Sequence, residues 1–192
     1  MIRHLLFVIL LASVICGSSC KKTYPVPSNK DINAIVQIIT QDTSLINQYS
    51  LSKDLRKLKV VDVDTADGKI HMPFPPGSNK IYFLSFIISK YWFEKDKEYL
   101  FFQNDILKKY TIAQNDIGRL HLTSFEEQKT NGNKRNYNWY CDLTIPIFSL
   151  DQKHAYVEIT YHNPGGGGAS VIFLKKENGN WKILNKYMLW IA

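Results

Sequence analysis

The chain has 192 residues, of which 45% are hydrophobic, a size and composition that suit one globular domain and exclude a disordered chain. The net charge is +7, from 24 Lys and Arg residues against 17 Asp and Glu residues. These basic residues are spread along the chain, unlike the concentrated basic face of a nucleic-acid-binding protein, so we expect no nucleic-acid partner. No apolar run reaches the roughly 20 residues that a membrane-spanning helix needs.

The first twenty residues have the three parts of a secretory signal. Met1–His4 is a short basic head, Leu5–Ile15 is almost entirely apolar, and Cys16–Cys20 consists of small residues. An apolar stretch of this length between a basic head and small residues is typical of a cleaved signal and too short for a membrane-spanning helix. The pattern therefore predicts a signal peptide over residues 1–19.

The end of this segment, Gly17-Ser18-Ser19-Cys20, resembles the lipobox of bacterial lipoproteins, with Gly17 standing where an aliphatic residue is common. The resemblance implies that the signal is cleaved after Ser19 and that Cys20 carries the lipid. Two alternatives remain open at this point: an ordinary cleaved signal that leaves a soluble protein, and an uncleaved N-terminal anchor.

The same resemblance implies a place in the bacterial cell envelope, with the membrane as a partner through the lipid on Cys20. Lys21 follows this cysteine where an Asp would signal inner-membrane retention, which implies the outer membrane, facing the periplasm. Residues 20–28 are then a short tether, stiffened by its prolines. Residues 29–192 follow as a single globular domain.

Cysteine usage predicts a domain without disulfides. Once Cys16 is removed with the signal peptide and Cys20 is acylated, Cys141 is the remaining thiol. It lies in the apolar, strand-like run Trp139–Leu143, with no His or acid at a recognisable catalytic offset. We interpret Cys141 as a buried structural thiol and not as a nucleophile.

The first half of the domain predicts helices and strands in a mixed order. A helix is expected after Ser28 or Asn29, because apolar residues follow with a helical period at Ile32, Ile35, Val36 and Ile39. Further elements predicted in chain order are a strand over Leu58–Asp64, a buried strand over Lys80–Ser89, a helix over Glu94–Lys109 and a strand over Leu120–Phe125.

The second half predicts four consecutive strands, Tyr140–Phe148, His154–Tyr161, Ala169–Lys176 and Trp181–Trp190. Asn178-Gly179 between the last two strands is a typical two-residue hairpin turn. Short turns between consecutive strands imply antiparallel pairing. The predicted fold class is therefore α+β, an antiparallel β-meander of four or more strands with two or so helices packed on one face.

Two resemblances concern this closing region. The segments Pro146–Tyr156 and Lys175–Ile191 resemble the ending of uncharacterised bacterial lipoproteins and secreted proteins, a group that implies no particular activity. The hairpin Asn178–Ile183 is similar to the last strands of NTF2-like domains. That similarity implies a cone-shaped α+β fold, and with it an enzyme or a small-ligand binder as the alternative function.

Gly165–Gly168 is the most unusual segment. A glycine run binds phosphate when a helix N-terminus and a Lys accompany it, but the strand-like Ala169–Leu174 follows here. We interpret the run as a flexible hairpin connection, with a mobile flap beside a ligand pocket as the alternative.

Asp62–Gly68 has the acids of a calcium-binding loop. However, Ala66 and Pro73 stand at positions where such a loop needs an oxygen ligand, so we do not predict a calcium site.

The histidines have no metal-binding spacing, so we expect neither a metal nor a cofactor. Glu158 and His162 are four residues apart on one face of a strand and form the best acid–base pair. We take these two residues as the candidate ligand-binding site, with an ordinary surface pair as the alternative. No Gly-x-Ser-x-Gly nucleophile motif occurs, and no catalytic residue is assigned.

These features together predict a non-catalytic binding or interaction module held at a membrane. The alternative is the NTF2-like enzyme or ligand binder, with Glu158 and His162 at the mouth of a pocket lined by Tyr and Trp. A closed apolar pocket with convergent polar groups would favour that alternative. A filled core together with an exposed apolar patch would favour the interaction module.

Overall fold

In the computed structural model, helix α1 spans Asn29–Gln41 and begins where the sequence predicts a helix. The Ser28 side chain accepts a hydrogen bond from the Asp31 backbone N–H at 3.0 Å and so caps the first turn. The buried face of α1 carries the four predicted apolar residues, Ile32, Ile35, Val36 and Ile39. The predicted helix is confirmed.

The structure describes residues 22–46, 49–62, 77–118, 120–124, 126–127, 139–163 and 165–191. The predicted signal peptide with Ser19, the lipidation site Cys20, most of the calcium-like run and the loops over 73–76 and 130–138 lie outside the described residues.

Seven strands form the main sheet. Their bounds are β1 Ser50–Ser52, β6 Leu122–Thr123, β7 Tyr140–Leu143, β8 Ile147–Phe148, β9 His154–Asn163, β10 Gly166–Glu177 and β11 Asn180–Ile191. The spatial order is β11-β10-β9-β7-β1-β6, with β8 also pairing with β9. The pairs that join β7, β8, β9, β10 and β11 are antiparallel, whereas β1 runs parallel to both β6 and β7.

The α+β class is therefore correct, but the clean antiparallel meander is not. Leu51 of β1 pairs with Leu122 on one side and with Cys141 on the other, and both partners come much later in the chain. No local turn signals such pairings. The predicted strand Tyr140–Phe148 is also broken, because the Ile145 N–H donates to the Arg56 carbonyl and Pro146 has no N–H.

Two small sheets flank the main one. Strand β2, Asp54–Leu55, pairs antiparallel with β5, Tyr110–Thr111. Strand β3, Lys59–Val61, pairs parallel with β4, Lys80–Tyr82. The predicted strand Leu58–Asp64 is thus confirmed over β3.

The prediction of one strand over Lys80–Ser89 is wrong beyond Tyr82. Residues Phe83–Ile88 form helix α2, which buries Phe83 and Phe86 on one face. The three-residue spacing of Phe83 and Phe86 fits a helix, and the nearly continuous apolar run around them fits a buried strand equally well. In so short a segment, hydrophobic periodicity does not distinguish a helix from a strand. The predicted helix near Glu94 is confirmed as a 3₁₀ turn, Glu94–Asp96, continuing into α3, Lys97–Ile106.

The helices cover both faces of the sheet, and not one face as predicted. Alternate residues of β9 point to opposite sides, so Ile159 and Tyr156 enter different cores. The first core joins α1 to Ile159, and the second joins α2 to Tyr156. Helix α3 contributes Tyr99 to the first core and Leu100 to the second.

Cys141 is a buried free cysteine, as predicted. Burial raises the pKa of its thiol well above the usual range, and the neighbouring Asp142 carboxyl adds to this shift. The thiol therefore stays protonated and unreactive at neutral pH.

Within the described part of the chain, no helix is long and apolar enough to cross a membrane.

The described part of the predicted tether lies against the domain. The Tyr24 ring packs against Tyr99 and Phe102, with ring centroids 5.8 and 5.2 Å apart. The Tyr24 hydroxyl donates to Glu98 Oε2 at 2.6 Å, and Lys22 Nζ forms an ion pair with the same oxygen at 2.7 Å. The chain is thus attached to the start of α3 from Lys22 onward.

Candidate functional site

Glu158 and His162 lie on the same face of β9 and are joined through two further residues. His162 Nε2 lies 2.6 Å from Asp142 Oδ2. Arg56 connects the two acids, with its Nε 3.2 Å from Asp142 Oδ1 and its Nη2 3.2 Å from Glu158 Oε2. We call these four side chains the Arg56 network.

Strand pairing brings the network together. β7 and β9 pair so that Tyr140 lies opposite His162 and Asp142 opposite Thr160, which places Asp142 diagonally beside the histidine. Arg56 follows β2, and its backbone N–H donates to the Leu143 carbonyl at 2.8 Å. This hydrogen bond fixes the Arg56 backbone beside β7, so the Arg56 side chain lies on the β7–β9 surface.

The Arg56 guanidinium uses all of its donors. Besides its two carboxylate contacts, Nη2 donates to Thr160 Oγ1 at 3.3 Å. Nη1 donates to the Ser78 carbonyl at 3.0 Å and to Asn79 Oδ1 at 3.1 Å. A guanidinium has five N–H groups, and these five acceptors account for them. Arg56 therefore joins β7, β9 and the segment ahead of β4, and it has no donor left for an external anion.

Burial strengthens the contacts of this network. The side chains of Arg56, Asp142 and Glu158 are 19%, 16% and 12% exposed. The second oxygen of Glu158 accepts from the Tyr156 hydroxyl at 2.8 Å. Burial raises the pKa of Tyr156 well above the usual range, and the Glu158 carboxylate adds to this shift, so the hydroxyl remains a donor.

His162 is the part of the network that solvent reaches, because its side chain is 39% exposed. Its ring stacks on Tyr140 with the ring centroids 4.3 Å apart and the planes 10° from parallel. The structure thus places the predicted Glu158 and His162 in one network, linked through Asp142 and Arg56. It gives the histidine Asp142 as its direct carboxylate partner in place of Glu158.

Arg56 and Asp142 are the residues that sequence reasoning missed. Asp142 had a signal, because an acid between Cys141 and Leu143 in an apolar run must point to the other face of the strand. Arg56 had none, since its partners lie 86 and 102 positions away.

The glycine run is mostly strand. Gly166, Gly167 and Gly168 are the first residues of β10 and pair with β9, so the interpretation as a flexible connection is wrong for these three residues. A Cβ on Gly167 would lie 2.9 Å from the Tyr161 carbonyl oxygen and 3.5 Å from the Trp190 ring. The run is glycine-rich here because the neighbouring backbone and ring approach too closely for a side chain.

A small cavity lies at the other end of β9, beside His154. It measures about 120 Å³ and is lined by Tyr91, Phe93, Lys95, Asp96, Ser149, Leu150, Asp151 and His154. Burial lowers the pKa of His154, whereas Asp151 opposes that shift. Sites for small molecules usually measure about 300–1,000 Å³, so this cavity holds a group no larger than one side chain.

Metal-binding geometry is lacking in the described ranges, where no three His, Cys, Asp or Glu side chains are grouped around a common point. Asp62, the first acid of the calcium-like run, forms an ion pair with Lys97 at 2.8 Å.

The last third of β11 is the most exposed apolar part of the described structure. Tyr187, Met188, Leu189 and Ile191 are 51%, 67%, 46% and 71% exposed. We call these four residues the β11 patch. β11 is an edge strand, and no described strand pairs with its outer side.

No family model, no curated protein and no solved structure matches this chain.

Proposed function

We propose that this protein is a lipid-anchored component of the bacterial cell envelope, held at the outer membrane and facing the periplasm. The proposal takes its anchor from the lipobox-like Gly17-Ser18-Ser19-Cys20 that follows a basic and an apolar segment. Its role is that of a non-catalytic binding or interaction module. The β11 patch is the single observation that carries this role.

The composition of the β11 patch supports an interaction role. Tyr187–Ile191 contains no charged residue and no proline, which are residues that proteins use to keep an edge strand from associating. The register of β11 against β10 skips Leu184 and Leu189, and both bulged leucines point to solvent. Bulges disturb strand addition along an edge, so the apolar side chains themselves are the contact surface we propose.

The alternative of a small-ligand binder or enzyme has less support. The polar groups of the Arg56 network are directed at one another and not into a pocket. The cavity beside His154 is below the usual size for a ligand site. A small ligand that stabilised the purified protein in a thermal-shift screen would reverse this preference.

Cysteine accessibility tests the interaction role. In the native envelope, we expect Met188→Cys to react with a maleimide several-fold more slowly than in the purified protein, because a partner covers the patch. His121→Cys, an exposed position just before β6 at the other edge of the sheet, should react at the same rate in both. Buried Cys141 contributes no background. Equal rates at Met188→Cys in the envelope and in solution would contradict the proposed interface.

Metabolic labelling tests the anchor. A fatty-acid probe should label the wild-type protein, and Cys20→Ser should abolish that label because the acceptor thiol is gone. Cys16→Ser is the matched control and should remain labelled, since that residue lies within the removed signal. Labelling that persists in Cys20→Ser would show that the anchor assignment is wrong.

A further inference from the structure

The N-terminal anchor and the folded domain are separated by very little chain. Lys22 is held at the start of α3 by its ion pair with Glu98, and Tyr24 packs on Tyr99 and Phe102. Cys20 precedes Lys22 by two residues, and two residues of extended chain reach about 7 Å at most. A lipid on Cys20 would therefore bring the start of α3 to the membrane surface.

The surface around this attachment point includes an exposed aromatic ring. Phe93 is 59% exposed and directly precedes the 3₁₀ turn that leads into α3. Five residues of helical path separate Phe93 from Glu98, a rise of about 8 Å. The Lys95 ammonium lies 5.2 Å from the centre of the Phe93 ring. Lys95 and Glu98 are three residues apart, so Lys95 faces the same side as the Lys22 attachment.

The charges on this surface are mixed, with acids and lysines interspersed. Lys22 and Glu98 neutralise each other, and Asp151 lies 4.0 Å from His154. The 3₁₀ turn adds Glu94, which is exposed, and Asp96, which is buried. Against these acids stand Lys90, Lys95 and Lys153, all exposed on segments that line or adjoin the cavity beside His154. An aromatic ring with lysines around it suits the headgroup region of a bilayer.

We infer that the end of the domain formed by Lys22, Phe93 and Lys95 lies directly on the lipid bilayer, with the Phe93 ring between the headgroups. The inference rests on the proposed lipid on Cys20 and goes beyond it, because it assigns the domain one orientation. The occupant of this surface is the bilayer that the acyl chains enter. The far end of the sheet, with the β11 patch, then points away from the membrane.

Spin labels in the full-length lipidated protein test this orientation. The protein is placed in vesicles of phosphatidylethanolamine with a minority of phosphatidylglycerol, and a nitroxide is attached at Glu94→Cys. We expect its accessibility to oxygen, relative to a water-soluble nickel chelate, to exceed that of the same label at His121→Cys several-fold. His121 is exposed, and its carbonyl accepts from Leu51, which places it at the opposite end of the sheet.

A second variant separates insertion from mere proximity. Phe93→Asp should reduce the accessibility ratio at Glu94→Cys to the value at His121→Cys, because the ring no longer enters the headgroups. Ile88→Asp, an exposed apolar residue on α2, is the matched control and should leave the ratio unchanged.

The outcomes separate the two proposals. Water-like ratios at both labels, in protein that still floats with the vesicles, would overturn the orientation and leave the anchor intact. A Glu94→Cys label that neither oxygen nor chelate reaches would mean that another protein surface covers this end, which also overturns it. Protein that does not float with the vesicles would overturn the anchor itself.

Discussion

Arg56 shows what a single residue contributes to this fold. It lies after a two-residue strand, yet its side chain joins β7, β9 and the segment before β4. Asp142 and Glu158 would otherwise be two carboxylates near each other with little access to water. Removing one partner from such a buried ion pair leaves an uncompensated charge, which destabilises far more than the loss of a surface pair.

We therefore expect Arg56→Met to lower the free energy of unfolding by about 3 kcal/mol. Lys97→Met is the matched control, because Lys97 pairs with Asp62 at the surface, and it should cost at most about 1 kcal/mol. Urea denaturation of the purified proteins measures both. Similar small losses in the two variants would mean that the Arg56 network adds little to stability.

Asp142 marks the limit of prediction at the residue scale. Alternation along a strand predicts that Asp142, Glu158 and His162 point away from the first core, and the structure confirms that they share a surface. Alternation does not predict which of the two acids contacts His162. That choice depends on the register between β7 and β9, which no residue pattern in either strand specifies alone.

The start of β10 shows how an element can depend on glycine. β10 pairs with β9 from Gly166 to Lys175 and with β11 from Gly168 onward, so Gly168 has paired neighbours on both sides, whereas Gly166 and Gly167 pair with β9. The Trp190 ring lies over Gly167, where a side chain would be expected. A glycine in a strand interior usually marks such a close approach.

Gly167→Ala should lower the free energy of unfolding by about 1–3 kcal/mol, and with it the melting temperature, because the new Cβ would clash with the Tyr161 carbonyl oxygen. Gly165→Ala is the control, because its Cβ would approach nothing closer than 3.8 Å. That variant should be neutral or slightly stabilising, since alanine restricts the unfolded chain. Calorimetry of both proteins decides the matter, and equal melting temperatures would remove the packing explanation for the glycine run.

Helix α2 is the element that sequence reasoning assigned wrongly. Its residues Phe83–Ile88 form a continuous apolar run, and so do many buried strands. Helix α1 was predictable because it is longer and places polar residues regularly between its four buried apolar residues. The difference is one of length and amphipathic pattern, since both segments contain enough apolar surface.

At the scale of the whole molecule, the two ends of the main sheet differ in character. The end where β9 begins and β11 begins lies beside α3 and the Lys22 attachment. The end where β9 and β11 finish carries the β11 patch and the Arg56 network. The twelve residues of β11 connect these ends over about 40 Å. A domain standing on the bilayer would present its patch at about that height.

The hairpins of the second half were predictable from the sequence, and the position of β1 was not. The Asn178-Gly179 turn joins β10 to β11 as expected, because it needs only neighbouring residues. The pairing of β1 depends on residues far along the chain and on which apolar face α1 covers. Composition and local pattern contain neither piece of information.

The position of β1 also bears on the order in which this protein folds. Synthesis begins at the N-terminus, so β1 leaves the ribosome before either of its neighbours in the sheet. Leu51 then has no strand to pair with until Leu122 and Cys141 have been synthesised as well. We expect the late hairpins of β9, β10 and β11 to form quickly by local contacts, and the first third of the chain to stay open to chaperones until then.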